Sequence, residues 1–64
     1  EVEDPYEAIL SIARRHPMNQ FEVESFLEAR EIPADQRQAL MERLGQDPGI
    51  TVLHYKGILT YRVN

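Results

Sequence analysis

The sequence contains no cysteine, which excludes disulfide bonds, thiolate metal sites and a cysteine nucleophile. A reducing intracellular compartment, cytoplasmic or nuclear, is therefore the expected location. Long apolar runs are also absent, since none approaches the roughly 18 residues that span a membrane. The first residues do not have the pattern of a signal peptide. These absences favour a small domain that depends on its apolar core for stability.

Residues that carry out catalysis are scarce. The two serines, Ser11 and Ser25, fall within predicted helices with no obvious base beside them, and His16 and His54 are the only histidines. Neither histidine has a metal-ligating residue three or four positions away, which argues against zinc. The three glycines suit turns and caps rather than a phosphate-binding loop. The sequence predicts that the chain is not an enzyme and binds no cofactor, metal or small-molecule substrate.

The chain of 64 residues has the size of one domain, residues 1–64, near the lower limit for folding without disulfides or metals. Because it begins at Glu1 rather than methionine, we expect it to be a segment of a longer protein. Residues 1–31 contain eight acidic and three basic residues, a net charge of −5. Residues 32–64 contain three acidic and four basic residues, a net charge of +1. The basic character of the chain lies in its second half.

Two capping patterns predict the first two helices. Asp4-Pro5-Tyr6-Glu7 starts a helix that ends at His16, because the proline that follows disfavours helical geometry there. Asn19 and Glu22 have the spacing of a capping box and start the second helix, with Phe21 expected to pack at its first turn.

A third helix is predicted from Pro33 to about Leu44, with Gly45 as its C-terminal cap. Leu40, Met41 and Leu44 form its buried side. This orientation leaves an exposed side made of Asp35, Gln38, Ala39 and Glu42, with Gln36 and Arg43 at its margins.

The C-terminal residues predict a β-hairpin, here called the ribbon (residues 50–63). If Lys56-Gly57 is a two-residue loop, Tyr55 pairs with Ile58; a three-residue loop is the alternative. One face then collects Ile50, Val52, His54, Leu59, Tyr61 and Val63, and the other collects Thr51, Leu53, Tyr55, Ile58, Thr60 and Arg62. Because an isolated hairpin is marginal in water, we expect the first face, including His54, to pack on the helices.

These elements predict an α+β domain, mainly α: a three-helix winged helix-turn-helix with the C-terminal hairpin as its wing. The second and third helices, joined at Ile32-Pro33, form the expected helix-turn-helix. Met18, just before the second helix, is the expected site of the short strand that such folds often add.

Part of the sequence resembles the central winged-helix domain of the beta subunit of transcription initiation factor IIE. The similarity covers residues 37–64 and is carried by residues 37–44 with their Leu40-Met41 pair, residues 47–52, Lys56-Gly57 and residues 61–64. It implies contact with double-stranded promoter DNA or with neighbouring basal factors, without strong sequence preference. The segment Arg14-Arg15-His16-Pro17 is shorter than the basic insert of that family.

The first functional hypothesis is weak binding of duplex nucleic acid within a larger transcription or nucleic-acid-processing protein. The third helix would enter the major groove, where Gln36 or Gln38 suits adenine and Arg43 suits guanine. The phosphate contacts would come from Arg37, Lys56 and Arg62, together with Arg14 and Arg15.

The alternative hypothesis is a protein-interaction module that docks other subunits or domains of a larger assembly. Leu53, Tyr55 and Ile58 share the face of the ribbon that points away from the helices. A small monomer rarely exposes such a group together, and tyrosine is a typical interface anchor. A short N-terminal segment near Val2, folded over this face, is the other explanation.

Overall fold

The computed structural model describes residues 3–64 and has the element order expected for an α+β domain. There are three helices, α1 (Pro5–Arg15), α2 (Gln20–Ala29) and α3 (Ala34–Gln46). A short strand, β1 (Met18–Asn19), lies between α1 and α2, and two longer strands, β2 (Ile50–Tyr55) and β3 (Ile58–Val63), follow α3. The predicted order of three helices followed by a hairpin is confirmed, as is the short strand at Met18.

The two predicted N-terminal caps are present. The Asp4 carboxylate accepts a hydrogen bond from the Glu7 backbone N–H at 3.2 Å, and His16 is the C-cap of α1. Asn19 and Glu22 form a reciprocal capping box, with both N···O distances at 2.8 Å. Local polar residues therefore fix where the first two helices begin.

The expected end of α3 is wrong by two residues. The helix continues through Gly45 to Gln46, and Asp47 is its C-cap in an extended conformation. Asp47 precedes a proline, which disfavours helical geometry, and its Oδ1 accepts a hydrogen bond from Gly49 N–H at 2.8 Å. The side chain of Asp47 and the following proline, rather than a glycine cap, therefore end the helix.

The sheet is antiparallel with the strand order β1-β3-β2. All six predicted pairs of the ribbon are confirmed, from Tyr55–Ile58 at the loop to Ile50–Val63 at the base. Lys56 and Gly57 both have positive φ, 52° and 79°, as a two-residue type I′ loop requires. Met18 pairs with Tyr61, so β1 lies along the other side of β3.

The core joins α1, α2 and α3 to the base of the ribbon. Its buried apolar side chains are Tyr6, Ile9, Ala13, Met18, Val23, Leu27, Leu44, Ile50 and Tyr61. Leu40 and Met41, expected to be buried, are only partly so.

The expectation that the whole first face of the ribbon packs on the helices is wrong, because three short helices cover only the base of a hairpin with six-residue strands. His54 is exposed, although it lies on the same face as the buried Ile50 and Tyr61, and Val52 is 36% exposed. The loop end of the ribbon therefore extends beyond the helices. The expected packing of Phe21 is also wrong, since this side chain is exposed at the first turn of α2.

Candidate interaction surfaces

The outer face of the ribbon (Leu53, Tyr55 and Ile58) exposes apolar side chains close together. Tyr55 is 72% exposed, Leu53 43% and Ile58 39%. Tyr55 and Ile58 are cross-strand partners, and Leu53 lies opposite Thr60. Val2, proposed above as a cover for this face, lies outside the residues that the structure describes. Among residues 3–64 the outer face remains open to contact.

The ribbon is the cationic part of an acidic chain. Residues 50–63 contain Lys56 and Arg62 and no aspartate or glutamate, a net charge of +2. The remaining residues contain five basic and eleven acidic residues, a net charge of −6. Lys56 Nζ lies 5.3 Å from the centre of the Tyr55 ring, so positive charge borders the apolar outer face. An anionic partner is therefore attracted to the ribbon rather than to the helices.

The solvent side of α3 carries little positive charge. Gln36 and Gln38 are exposed, as predicted for base contacts. Asp35 and Glu42 are exposed on the same helix, and their carboxylates repel the phosphates of a duplex.

Arg37, predicted to contact phosphate, forms hydrogen bonds within the protein. Its Nε lies 3.1 Å from Glu24 Oε2, and its Nη1 donates to the Ile32 carbonyl at 2.7 Å. These bonds join α2, the turn after it and the first turns of α3. Because the guanidinium charge is already paired and partly buried, Arg37 has a structural role in this arrangement.

Arg43 is exposed, but its guanidinium stacks on Tyr6, with the guanidinium carbon 3.7 Å from the ring centre. The Tyr6 hydroxyl donates to Asp47 Oδ2 at 2.7 Å. Burial and this carboxylate raise the pKa of the Tyr6 hydroxyl well above its ordinary value. The same hydrogen bond, helped by the Gly49 N–H, lowers the pKa of the Asp47 carboxyl. Tyr6, Arg43 and Asp47 thus connect α1 to the end of α3.

The lowered pKa of Asp47 gives stability a defined pH dependence. The ionised carboxyl stabilises the fold above its unfolded pKa of about 3.9, and this contribution is lost as pH falls through the lower folded pKa. Asp47→Asn is expected to lower the free energy of unfolding at pH 7 and to make it less pH-dependent below about pH 4. Urea unfolding from pH 2 to 7 measures this. Glu42→Gln, at an exposed position, controls for the loss of one charge; equal slopes for the parent chain and Asp47→Asn would contradict the assignment.

The six residues of α3 and the ribbon that were predicted to contact nucleic acid do not lie on one surface. Arg37 and Arg43 are engaged within the helical part, and Gln36 and Gln38 lie on α3. Lys56 and Arg62 belong to the ribbon, with the residues predicted to contact protein.

One exposed aromatic residue was not predicted. Phe21 borders an apolar hollow together with Met18, Ser25 and Phe26. The exposure of Phe21 could have been predicted from the helical period. Phe21 lies on the same side of α2 as Ser25 and Glu28, away from the buried Val23 and Leu27.

Among residues 3–64, no three potential metal ligands of the histidine, cysteine or carboxylate type come together. In the same part of the chain, every helix is too short or too polar to cross a membrane.

Comparisons with known proteins do not assign the chain to a family. No protein-family model matches it, and no curated protein or solved structure is significantly similar to it. The resemblance to the IIE beta subunit stays a prediction, and a functional proposal rests on the geometry of the chain itself.

Proposed function

We propose that the chain is a non-catalytic winged-helix module that docks a protein partner through the outer face of the ribbon. In this proposal α2 and α3 are the helix-turn-helix and the ribbon is the wing. The observation that carries it is the exposure of Leu53, Tyr55 and Ile58 side by side. Their burial by a partner removes apolar surface from water, which is the dominant favourable contribution to most protein association.

The charges support a protein partner over a duplex. Arg37 is paired with Glu24, so the exposed Arg43, stacked on Tyr6, is the one cation that α3 can set beside its two exposed carboxylates. Tyr55 is of a residue type that is enriched at protein interfaces, and Lys56 places positive charge beside it. The longer protein that contains this module would be an intracellular component of transcription or nucleic-acid processing, with the partner another subunit or domain of that assembly.

Position-specific photo-crosslinking tests the proposal. A photoreactive phenylalanine analogue at position 55 or 58 is expected to give an adduct with one protein in an extract of the source cells. The same analogue at position 38, on α3, is the matched control and is expected to give no such adduct. Adducts of equal yield from position 38, or none from 55 and 58, would contradict docking through the outer face.

The identified partner then allows an affinity measurement with purified proteins. Tyr55→Ala is expected to weaken binding about tenfold or more, because tyrosine is enriched among the few interface residues whose truncation costs over about 1 kcal/mol. Gln38→Ala is expected to leave the dissociation constant unchanged. A circular dichroism spectrum that matches the parent chain shows that each variant is folded.

A second candidate is weak duplex binding through α3, favoured by the exposure of both Gln36 and Gln38. Titration of a duplex at low salt would shift the amide signals of Gln36, Gln38, Arg43 and Lys56. With Lys56 and Arg62 as the ribbon's phosphate contacts, the log–log salt slope would be about −2. A duplex that moves none of these signals at low salt eliminates this candidate.

A further inference from the structure

The two long strands of the sheet differ in whether their outer edges are paired. β1 covers the edge of β3, and beyond β1 the Gln20 side chain continues the cover by accepting a hydrogen bond from Leu59 N–H at 2.6 Å. No strand among residues 3–64 pairs with the outer edge of β2. The backbone groups at the edge of β3 therefore have hydrogen-bond partners from β1 and from Gln20, whereas the outer edge of β2 has no neighbouring strand among residues 3–64.

The hydrogen-bond pattern identifies which groups the open edge presents. In a hairpin with a two-residue loop, the closing pair Tyr55–Ile58 is hydrogen-bonded, and alternate residues of β2 point their N–H and C=O away from β3. Those residues are Ile50, Val52 and His54. Ile50 N–H donates to the Asp47 carbonyl at 3.0 Å, which confirms this orientation. Val52 and His54 therefore present backbone donors and acceptors at the open edge.

The open edge lacks the features that usually prevent strand pairing. Residues 51–55 include no proline, lysine or acidic residue, and the register with β3 has no bulge. Leu53 and Tyr55 stand on one side of this edge, and Val52 and His54 on the other, all four exposed. A strand placed beside β2 finds two apolar neighbours, Leu53 and Tyr55, on one face, and Val52 with the polar His54 on the other.

We propose that the partner docks by strand addition, with an extended segment of alternating apolar and acidic residues pairing with the outer edge of β2. This inference rests on the proposed function and specifies its partner class. Main-chain hydrogen bonds to Val52 and His54 fix the segment, and its alternate side chains cover Leu53 and Tyr55. Lys56 and Arg62 give the ribbon a net charge of +2, which attracts an acidic segment at longer range, while both cations border the face that the segment's apolar side chains cover. A second copy of this chain fits less well, because it would bring another cationic ribbon to the same edge.

A synthetic peptide tests the inference on the 64-residue chain. The probe is a capped decapeptide that alternates valine and glutamate. We expect it to slow amide hydrogen exchange at Val52 and His54 at least tenfold and to shift the signals of Leu53 and Tyr55. The matched control has the same sequence with its four central amides N-methylated, which removes the donors on both of its edges. It is expected to give neither effect, as is a peptide with lysine in place of glutamate.

A variant of the chain provides a second test. His54→Pro removes an edge N–H that points away from β3, a position where a strand tolerates proline. The variant is expected to stay folded and to lose affinity for the glutamate peptide by at least tenfold, whereas His54→Ala keeps it. If His54→Pro does not fold, the comparison of the methylated and unmethylated peptides still decides.

The outcomes separate this inference from the proposed function. Equal binding of the methylated and unmethylated peptides, with shifts at Leu53, Tyr55 and Ile58, overturns strand addition and leaves docking through the outer face supported. Failure of the glutamate peptide to bind overturns strand addition. The photo-crosslinks from positions 55 and 58 test the proposed function independently of the peptide. Tighter binding of the lysine peptide, or of a duplex, at this edge overturns the acidic partner.

Discussion

Tyr61→Ala is expected to unfold most of the chain at 25 °C. Tyr61 is 3% exposed, lies between Met18 of β1 and Val52 of β2 in the sheet, and belongs to the core. Truncation of a buried aromatic side chain costs about 3 to 5 kcal/mol. A domain of this size has a total stability of about 5 kcal/mol. The loss therefore removes most of the free energy of unfolding, which urea titration measures.

Two variants are controls for the effect of Tyr61→Ala. Tyr61→Phe keeps the ring in the core and is expected to change the free energy of unfolding by less than about 1 kcal/mol, because volume-conserving substitutions are tolerated best. Arg62→Ala, at the next and exposed position, is expected to have an effect within about 0.5 kcal/mol. A small effect of Tyr61→Ala would mean that the ring is outside the core and that the strand register is wrong.

The elements that the sequence predicted correctly depend on short-range chemistry. Asp4 and the Asn19–Glu22 pair cap helices through residues three positions apart, so local spacing is enough to find them. The ribbon's register follows from alternation of side chains and from the position of its loop. Gly45 misled the prediction because a glycine is compatible with a cap but does not compel one.

The packing depends on distances that the sequence does not contain. The alternation of side chains along the strands places His54 on the same face as Tyr61. Tyr61 is buried and His54 is exposed because the helices cover only the base of the ribbon. The partners of the arginines are long-range as well: Arg37 meets Glu24, and Arg43 stacks on Tyr6, which lies in another helix. The sequence therefore predicted that Arg37 contacts phosphate and Arg43 contacts guanine, whereas the structure separates these two arginines, which contact other helices, from the ribbon's Lys56 and Arg62.

This separation changes which function the geometry favours. The predicted recognition helix keeps its glutamines on the surface, yet its arginines are engaged within the protein and its carboxylates are exposed. The ribbon combines apolar exposure, positive charge and an open strand edge in one place. The apolar exposure and the open edge favour contact with a protein segment, and the positive charge favours an acidic one. For this reason we place the protein-docking hypothesis, which was the alternative from sequence, ahead of duplex binding.

The burial of α3 leads to a graded prediction for its apolar residues. Leu44 is fully buried with 0% exposure, whereas Leu40 and Met41 are only partly buried. Leu44→Ala is expected to lower the free energy of unfolding by about 3 kcal/mol, through lost apolar burial and the cavity that remains. Leu40→Ala and Met41→Ala are each expected to cost about 1 kcal/mol, because solvent already reaches these positions.

Urea unfolding of the three variants under the same conditions measures the loss in the free energy of unfolding that each substitution causes. Gln38→Ala, on the exposed side of α3, is the control for the change in helix propensity that an alanine brings, and its effect is expected to be within about 0.5 kcal/mol. Equal losses for Leu40, Met41 and Leu44 would show that α3 is rotated toward the core relative to this structure. Such a rotation would also move Gln36 and Gln38 and would reopen duplex binding through α3. The Leu44 contrast therefore tests both how the helix packs and which of its surfaces can meet a partner.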